Sequence, residues 1–133
     1  MIKTKTLVKA MAFATASAIA GVATAATQGV SDSEVVVGSL NDLSGPFAAF
    51  GAPATKAAQL YFDEVNAAGG VHGRTIRFVV EDHGYQVPKA VQAVNKLVNR
   101  DKVFSMLLSL GTPHNIAAFK AVSYTHLTLP TKA

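Results

Sequence analysis

Cysteine is missing from the 133 residues of this chain, and that one absence removes several chemistries together. No disulfide framework, thiolate zinc site, thiol nucleophile or lipidated N-terminal cysteine can be built. An oxidising compartment stays open. Charge is sparse too: charged residues make up 15% of the chain and apolar ones 50%, which argues against a disordered polyelectrolyte. Catalytic signatures are equally scarce. There is no G-x-G-x-x-G, Walker loop, G-x-S-x-G elbow or S-x-x-K pair, so dinucleotide and P-loop binding and serine hydrolysis lack an anchor.

The histidines do not repair that lack. His72, His83 and His114 have no close metal-ligand spacing. His72 sits in a Gly-flanked turn and reads as a solvated surface residue. His83 and His114 fall in loops after strands, where a partly exposed loop histidine is the default and ligand contact the rarer alternative. Asp82 and His83 are adjacent at a strand end, where neighbours usually point apart, so they make a poor acid–base pair. The chain reads as a non-enzyme, without cofactor or metal.

What is present begins with an export signal. Lys3, Lys5 and Lys9 precede an uncharged run from Ala10 to Val22, and Ala23-Thr24-Ala25 supplies small residues before a cut. This is the layout of a secretory signal peptide over residues 1–25, cleaved after Ala25 with Ala26 as the near alternative. The apolar run, about 13 residues, is short of the roughly 20 that span a bilayer. At the other end, V-S-Y-T-H-L-T-L-P-T-K-A breaks the preceding helical pattern. It resembles the translation of a transposon-end sequencing adapter, so residues 122–133, with Tyr124 and His126, are set aside from the fold. Removing both ends takes away Lys3, Lys5, Lys9 and Lys132 and turns the formal charge of +4 into eight basic residues against eight acids over residues 26–121. That balance points away from nucleic acid.

Between the two ends, strands and helices alternate. Glu34 to Leu40 is a short apolar run expected of a strand buried on both faces. From Pro53 to Ala68, Ala57, Leu60, Tyr61, Val65 and Ala68 recur at helical spacing and predict the core face; Pro53 suits a first turn and Gly69-Gly70 a stop. Arg74 to Glu81 alternates as a second strand, with Ile76, Phe78 and Val80 on one side. Pro88 opens a helix carrying Val91, Val94, Leu97 and Val98, which ends at Asn99-Arg100-Asp101. Val103 to Leu110 reads as a third strand, and Thr112-Pro113 as an N-cap and first helical residue. The order β-α-β-α-β-α implies an α/β fold with a doubly wound, mostly parallel sheet.

In such sheets ligands bind beyond the carboxyl ends of the strands. The turn at Gly111-Thr112-Pro113 places backbone N–H groups at a helix N-terminus, where a carboxylate would fit through bonds of roughly 1.5 to 3 kcal/mol each. The alternative is that Thr112 is only an N-cap worth about 1 kcal/mol. Phe47 and Phe50 add aromatic surface at the same edge or else cover the core.

These segments also carry a resemblance. G-S-L-N-D-L-S-G-P-F-A-A-F-G, N-A-A-G-G-V-H-G-R, P-K-A-V-Q-A-V-N-K-L-V and S-L-G-T-P-H-N follow one another as in the N-terminal part of periplasmic branched-chain amino-acid-binding proteins, the leucine-binding type of ABC-transporter substrate-binding protein. The resemblance spans Val35 to Phe119 and implies the partial N-terminal lobe of a two-lobe periplasmic-binding-protein fold. It also implies a soluble periplasmic protein that closes on a free amino acid or related small polar ligand and docks on ABC permease subunits. By the same resemblance Thr112, with the backbone of Leu110 and Gly111, holds the ligand α-carboxylate. Phe50 covers the ligand side chain, and Asp82 and Tyr85 lie near the cleft mouth. Gly84 and Gly111 stand where some members carry a loop-to-loop disulfide. A ligand-sensing receptor domain of the same fold is the alternative.

Overall fold

The computed structural model describes residues 27–123, so the expected signal peptide and most of the expected adapter lie outside the described residues. Three parallel strands form one sheet in the order β2-β1-β3: β1 is Glu34–Asn41, β2 Thr75–Asp82 and β3 Ser105–Met106. The helices are α1 (Ala48–Ala67), α2 (Val87–Asn95) and α3 (Thr112–Ser123). The predicted order is therefore the observed one. Strand β1 pairs with β2 along its whole length, Glu34 opposite Thr75 through Asn41 opposite Asp82. Among the described residues no helix is long and apolar enough to cross a membrane.

Alternation along β1 divides the molecule into two layers. Val36 and Leu40 face α2 and α3, where they join Ala90, Ala93, Val94, Leu97, Val98, Val103, Met106 and Ala118 in the buried core. Leu40, Val94, Leu97 and Val103 are fully inaccessible. A single π-helical turn, Lys96–Arg100, finishes α2, with Asp101 N–H donating to the Lys96 carbonyl at 3.0 Å. On the opposite face Val35, Val37, Ile76, Phe78 and Val80 are half-buried, and Phe62 of α1 meets Phe78 edge to face at 5.2 Å.

Helix α1 differs from expectation in start and in phase. It begins at Ala48, which puts Pro53 inside the helix instead of in its first turn. Its inward residues are Gly51, Thr55, Ala58, Phe62, Val65 and Asn66, whereas Leu60 and Tyr61 are 57% and 63% exposed and Ala57 and Ala68 are exposed too. Of the predicted core face only Val65 turns inward. Two anchors set this phase. A Cβ on Gly51 would stand 2.1 Å from the Asp42 carbonyl oxygen, so the helix approaches the loop backbone there. Fifteen residues on, the Asn66 amide accepts from Ile76 N–H at 2.7 Å and donates to the Ile76 carbonyl at 2.8 Å.

The third strand is also shorter than the predicted Val103 to Leu110. Only Ser105 and Met106 pair regularly, opposite Val37 and Gly38. Phe104, Leu107 and Leu110 still donate to the carbonyls of Val36, Gly38 and Leu40. From each of these bonds to the next the donor segment advances three residues while β1 advances two, so the pairing slips on either side of the short strand, and the step from Leu107 to Leu110, beyond β3, forms a bulge. Leu108 occupies it with φ +55°. At the far end, α3 continues through Ser123.

Candidate functional site

Three loops meet at the carboxyl edge of the sheet. Asp42 organises the first. Its carboxylate is fully buried, Oδ1 accepting from Gly45 N–H at 2.6 Å and Oδ2 from Phe47 N–H at 2.8 Å. These bonds turn the chain into α1 and leave Phe47 at the rim. Gly45 is required by proximity: a Cβ there would lie 2.6 Å from Asp42 Oδ1 and 2.7 Å from the Gly84 backbone.

Asp82 joins the first loop to the second. Its Oδ1 accepts from Leu43 and Gly84 N–H, each at 2.9 Å, and its Oδ2 from the Ser44 hydroxyl at 2.6 Å. Burial acts to raise its pKa, but the Ser44, Leu43 and Gly84 bonds and the neighbouring His83 outweigh it, so the carboxyl is held below its ordinary range. Three of about four acceptor positions are thus used inside the protein. Asp82 positions loops before it meets any ligand.

The bulge shapes the third loop. Asn41 Nδ2 donates to the Leu108 carbonyl at 2.5 Å and to Ser39 Oγ at 2.7 Å. Helix α3 then starts one residue earlier than predicted. Asn115 N–H donates to the Gly111 carbonyl at 3.0 Å, which makes Gly111, at φ +99°, the capping residue and Thr112 the first helical one. Thr112 is exposed and is not the N-cap. By position the N–H groups of Thr112 and His114 lack intrahelical acceptors, and Pro113 contributes none. Leu110 is less available, because its N–H is used by Leu40 and its carbonyl by His83.

Aromatic rings link the three loops. Phe50 lies 6.4 Å from Phe47, Phe47 lies 4.4 Å from Tyr85, and Tyr85 lies 4.4 Å from His114. Phe50 is 67% exposed and Phe47 39%, so these rings wall the edge and do not cover the core. His83 and His114, expected to be partly exposed, are buried at 0% and 1%. Asp82 and His83 do point apart, one exposed and one buried. His72 is exposed at φ +52° in its turn.

The structure thus gathers Tyr85, Gly111, Thr112 and Leu110 around one rim, with Phe50 further out and Asp82, exposed, tying the first loop to the second. Sequence reasoning missed the roles of Asp42 and Asn41 and underrated Phe47. The spacing D-x-x-G at Asp42 to Gly45 is the signal that would have revealed the first, since an Asp side chain readily accepts from backbone N–H groups that follow it in a turn.

The profile of the family described as periplasmic binding protein matches residues 34–123. An amino acid binding protein of Pseudomonas aeruginosa is 32% identical over 74 residues, covering 56% of this chain and 20% of its own length. A Leu/Ile/Val-binding protein of Rhizobium johnstonii, BraC3, is 31% identical over 77 residues, covering 58% of this chain and 21% of its own. Among solved structures, a fatty acid ABC transporter substrate-binding protein from Thermomonospora curvata is 38% identical with a TM-score of 0.66, covering 74% of this chain and 25% of its own. The branched-chain amino acid transporter substrate-binding protein LivJ from Streptococcus pneumoniae, solved with isoleucine, is 31% identical with a TM-score of 0.66, covering 71% and 27%. The chain spans about a fifth of the curated relatives it matches. With the matched stretch running from β1 through α3, the chain belongs to the periplasmic binding protein family.

Proposed function

We propose that this chain is the ligand-holding N-terminal part of an exported solute-binding protein that captures an amino acid with a branched aliphatic side chain for an ABC importer. One observation carries the reading: the start of α3, whose first N–H groups lack intrahelical acceptors by position, adjoins the Phe47–Tyr85 wall through the contact of Tyr85 with His114. The donors suit a carboxylate, because the helix dipole and unpaired N–H groups favour negative charge there. The wall suits an apolar side chain. Ligand contacts to this lobe and to a second one favour the closed state, so binding is a population shift and not a catalysed step. Residues 1–25 act as the export signal, the soluble protein works in the periplasm, and ABC permease subunits receive the closed form.

A second reading has support from the Thermomonospora curvata relative, named for a fatty acid. A carboxylate with an alkyl chain uses the same donors and the same wall, without an amino group. Calorimetry on the longest reading frame containing this chain separates the two. L-Leucine, L-isoleucine and L-valine are expected to bind at about 10 µM or tighter, with 4-methylpentanoate, which is leucine without its amino group, at least tenfold weaker. Equal or tighter binding of 4-methylpentanoate transfers the assignment to aliphatic carboxylates. Binding of none of the four refutes both.

A further inference from the structure

His83 is buried beneath the rim, and both of its ring nitrogens are engaged. Nδ1 lies 3.0 Å from Tyr85 N–H and Nε2 lies 3.0 Å from the Leu110 carbonyl oxygen. A backbone N–H can only donate and a carbonyl can only accept. Nδ1 must therefore be the bare nitrogen and Nε2 must carry the proton, which fixes one neutral tautomer. The two partners sit on different loops, Tyr85 after β2 and Leu110 after β3. Tyr85 is held at φ +56°, a conformation costly for a bulky residue, and its ring packs against both Phe47 and His114.

We infer that His83 is a positioning residue for the ligand site: its neutral imidazole ties the loop bearing Tyr85 to the loop bearing Leu110, Gly111 and Thr112, and so sets the gap between the aromatic wall and the carboxylate donors. The inference rests on the amino-acid reading above and names the device that holds that site in shape. A proton on Nδ1 removes the acceptor for Tyr85 N–H and sets a cation against the stacked ring of His114, 4.3 Å away. The groups facing His83 are Asp42 from the first loop, Asp82 beside it on β2, Tyr85 on its own loop and His114 on α3, while Lys89 of α2 borders the adjacent Gly84. Burial opposes the proton most strongly and His114 opposes it too, while the Leu110 carbonyl and the two carboxylates favour it; the net effect holds the ring's pKa below its ordinary value. The bridge therefore opens on acidification, and the site loosens with it.

The test uses the full reading frame with L-leucine as probe, titrated from about pH 7.5 to about pH 5. The wild type is expected to lose affinity by roughly tenfold over that range, the equivalent of one buried hydrogen bond. His83→Gln retains a donor toward Leu110 but cannot gain the proton; it is expected to bind several-fold more weakly at the upper pH with a nearly flat profile. A flat wild-type profile, or equal slopes in both proteins, overturns the inference. Failure of the wild type to bind leucine at any pH counts instead against the functional reading. Nitrogen-15 chemical shifts of the His83 ring then decide the bridge separately. A bare Nδ1 at about pH 7.5 supports it, and a ring protonated on Nδ1 overturns it.

Discussion

The imidazole rings of His83 and His114 lie face to face, 4.3 Å between centroids and 10° between planes. His83 has two hydrogen-bond partners, whereas both nitrogens of His114 are buried without one. The pair joins the loop after β2 to the first turn of α3. Burial lowers the pKa of His83 from its ordinary 6.5, helped by His114 and opposed by the Leu110 carbonyl and the carboxylates of Asp42 and Asp82.

Stability should accordingly fall with acid in two windows. The unfolded chain takes up the His83 proton first, so the stabilisation is complete above about pH 6.5 and is lost as the pH drops through the lower folded value. Asp82, also depressed, contributes above its ordinary 3.8 and loses that contribution on further acidification. Urea midpoints followed from about pH 7.5 to about pH 3 should show both steps. His83→Gln should remove the upper step and leave the lower one.

Gly111→Ala should destabilise by about 3 kcal/mol. The new methyl group would stand 2.4 Å from His114 Nδ1, and the backbone is held at φ +99°. Denaturant unfolding measures the loss; a change within about 0.5 kcal/mol would show that the His114 ring is free to move aside.

On α1, Leu60→Ser should alter stability by no more than about 0.5 kcal/mol and Phe62→Ala should cost about 2 to 3 kcal/mol. Phe62 packs on Phe78, while Leu60 is 57% exposed. The opposite ranking would restore the face predicted from apolar spacing alone.

Thr112→Ala should leave the thermal midpoint within about one degree, because Gly111 and not Thr112 occupies the capping position. In the full reading frame the same change should weaken leucine binding roughly tenfold. A drop in stability with unchanged affinity would return Thr112 to a purely structural role.

Much of the fold was legible because its signals are local. The valines of Val35 to Val37, the alternation of Ile76, Phe78 and Val80, the Gly69-Gly70 stop after α1 and Pro88 in the first turn of α2 each place an element without reference to partners. The start of α3 was legible to within one residue, since proline suits the first turn of a helix, although the cap is Gly111 and not Thr112. The errors fall where two distant segments meet. Apolar spacing identified Leu60 and Tyr61 as a face, but the phase of α1 is set by Gly51 against Asp42 and by Asn66 against Ile76. No glycine marks the bulge at Leu108, whose carbonyl is held by an asparagine on a neighbouring strand.

The amino-acid sequence by itself determined the α/β class, the element order and the neutrality of the stretch between Ala26 and Ala121, because composition, periodicity and turn chemistry act over a few residues at a time; the family was legible through the resemblance of its loop motifs. Only the tertiary structure decided that Asp82 is an anchor between loops, that Phe47 belongs to the rim, and that His83 and His114 are a buried stack. Those roles depend on which donors, acceptors and rings the sheet brings within hydrogen-bonding or van der Waals distance. A parallel sheet does this between loops far apart in the chain, where no short pattern of residues can record it.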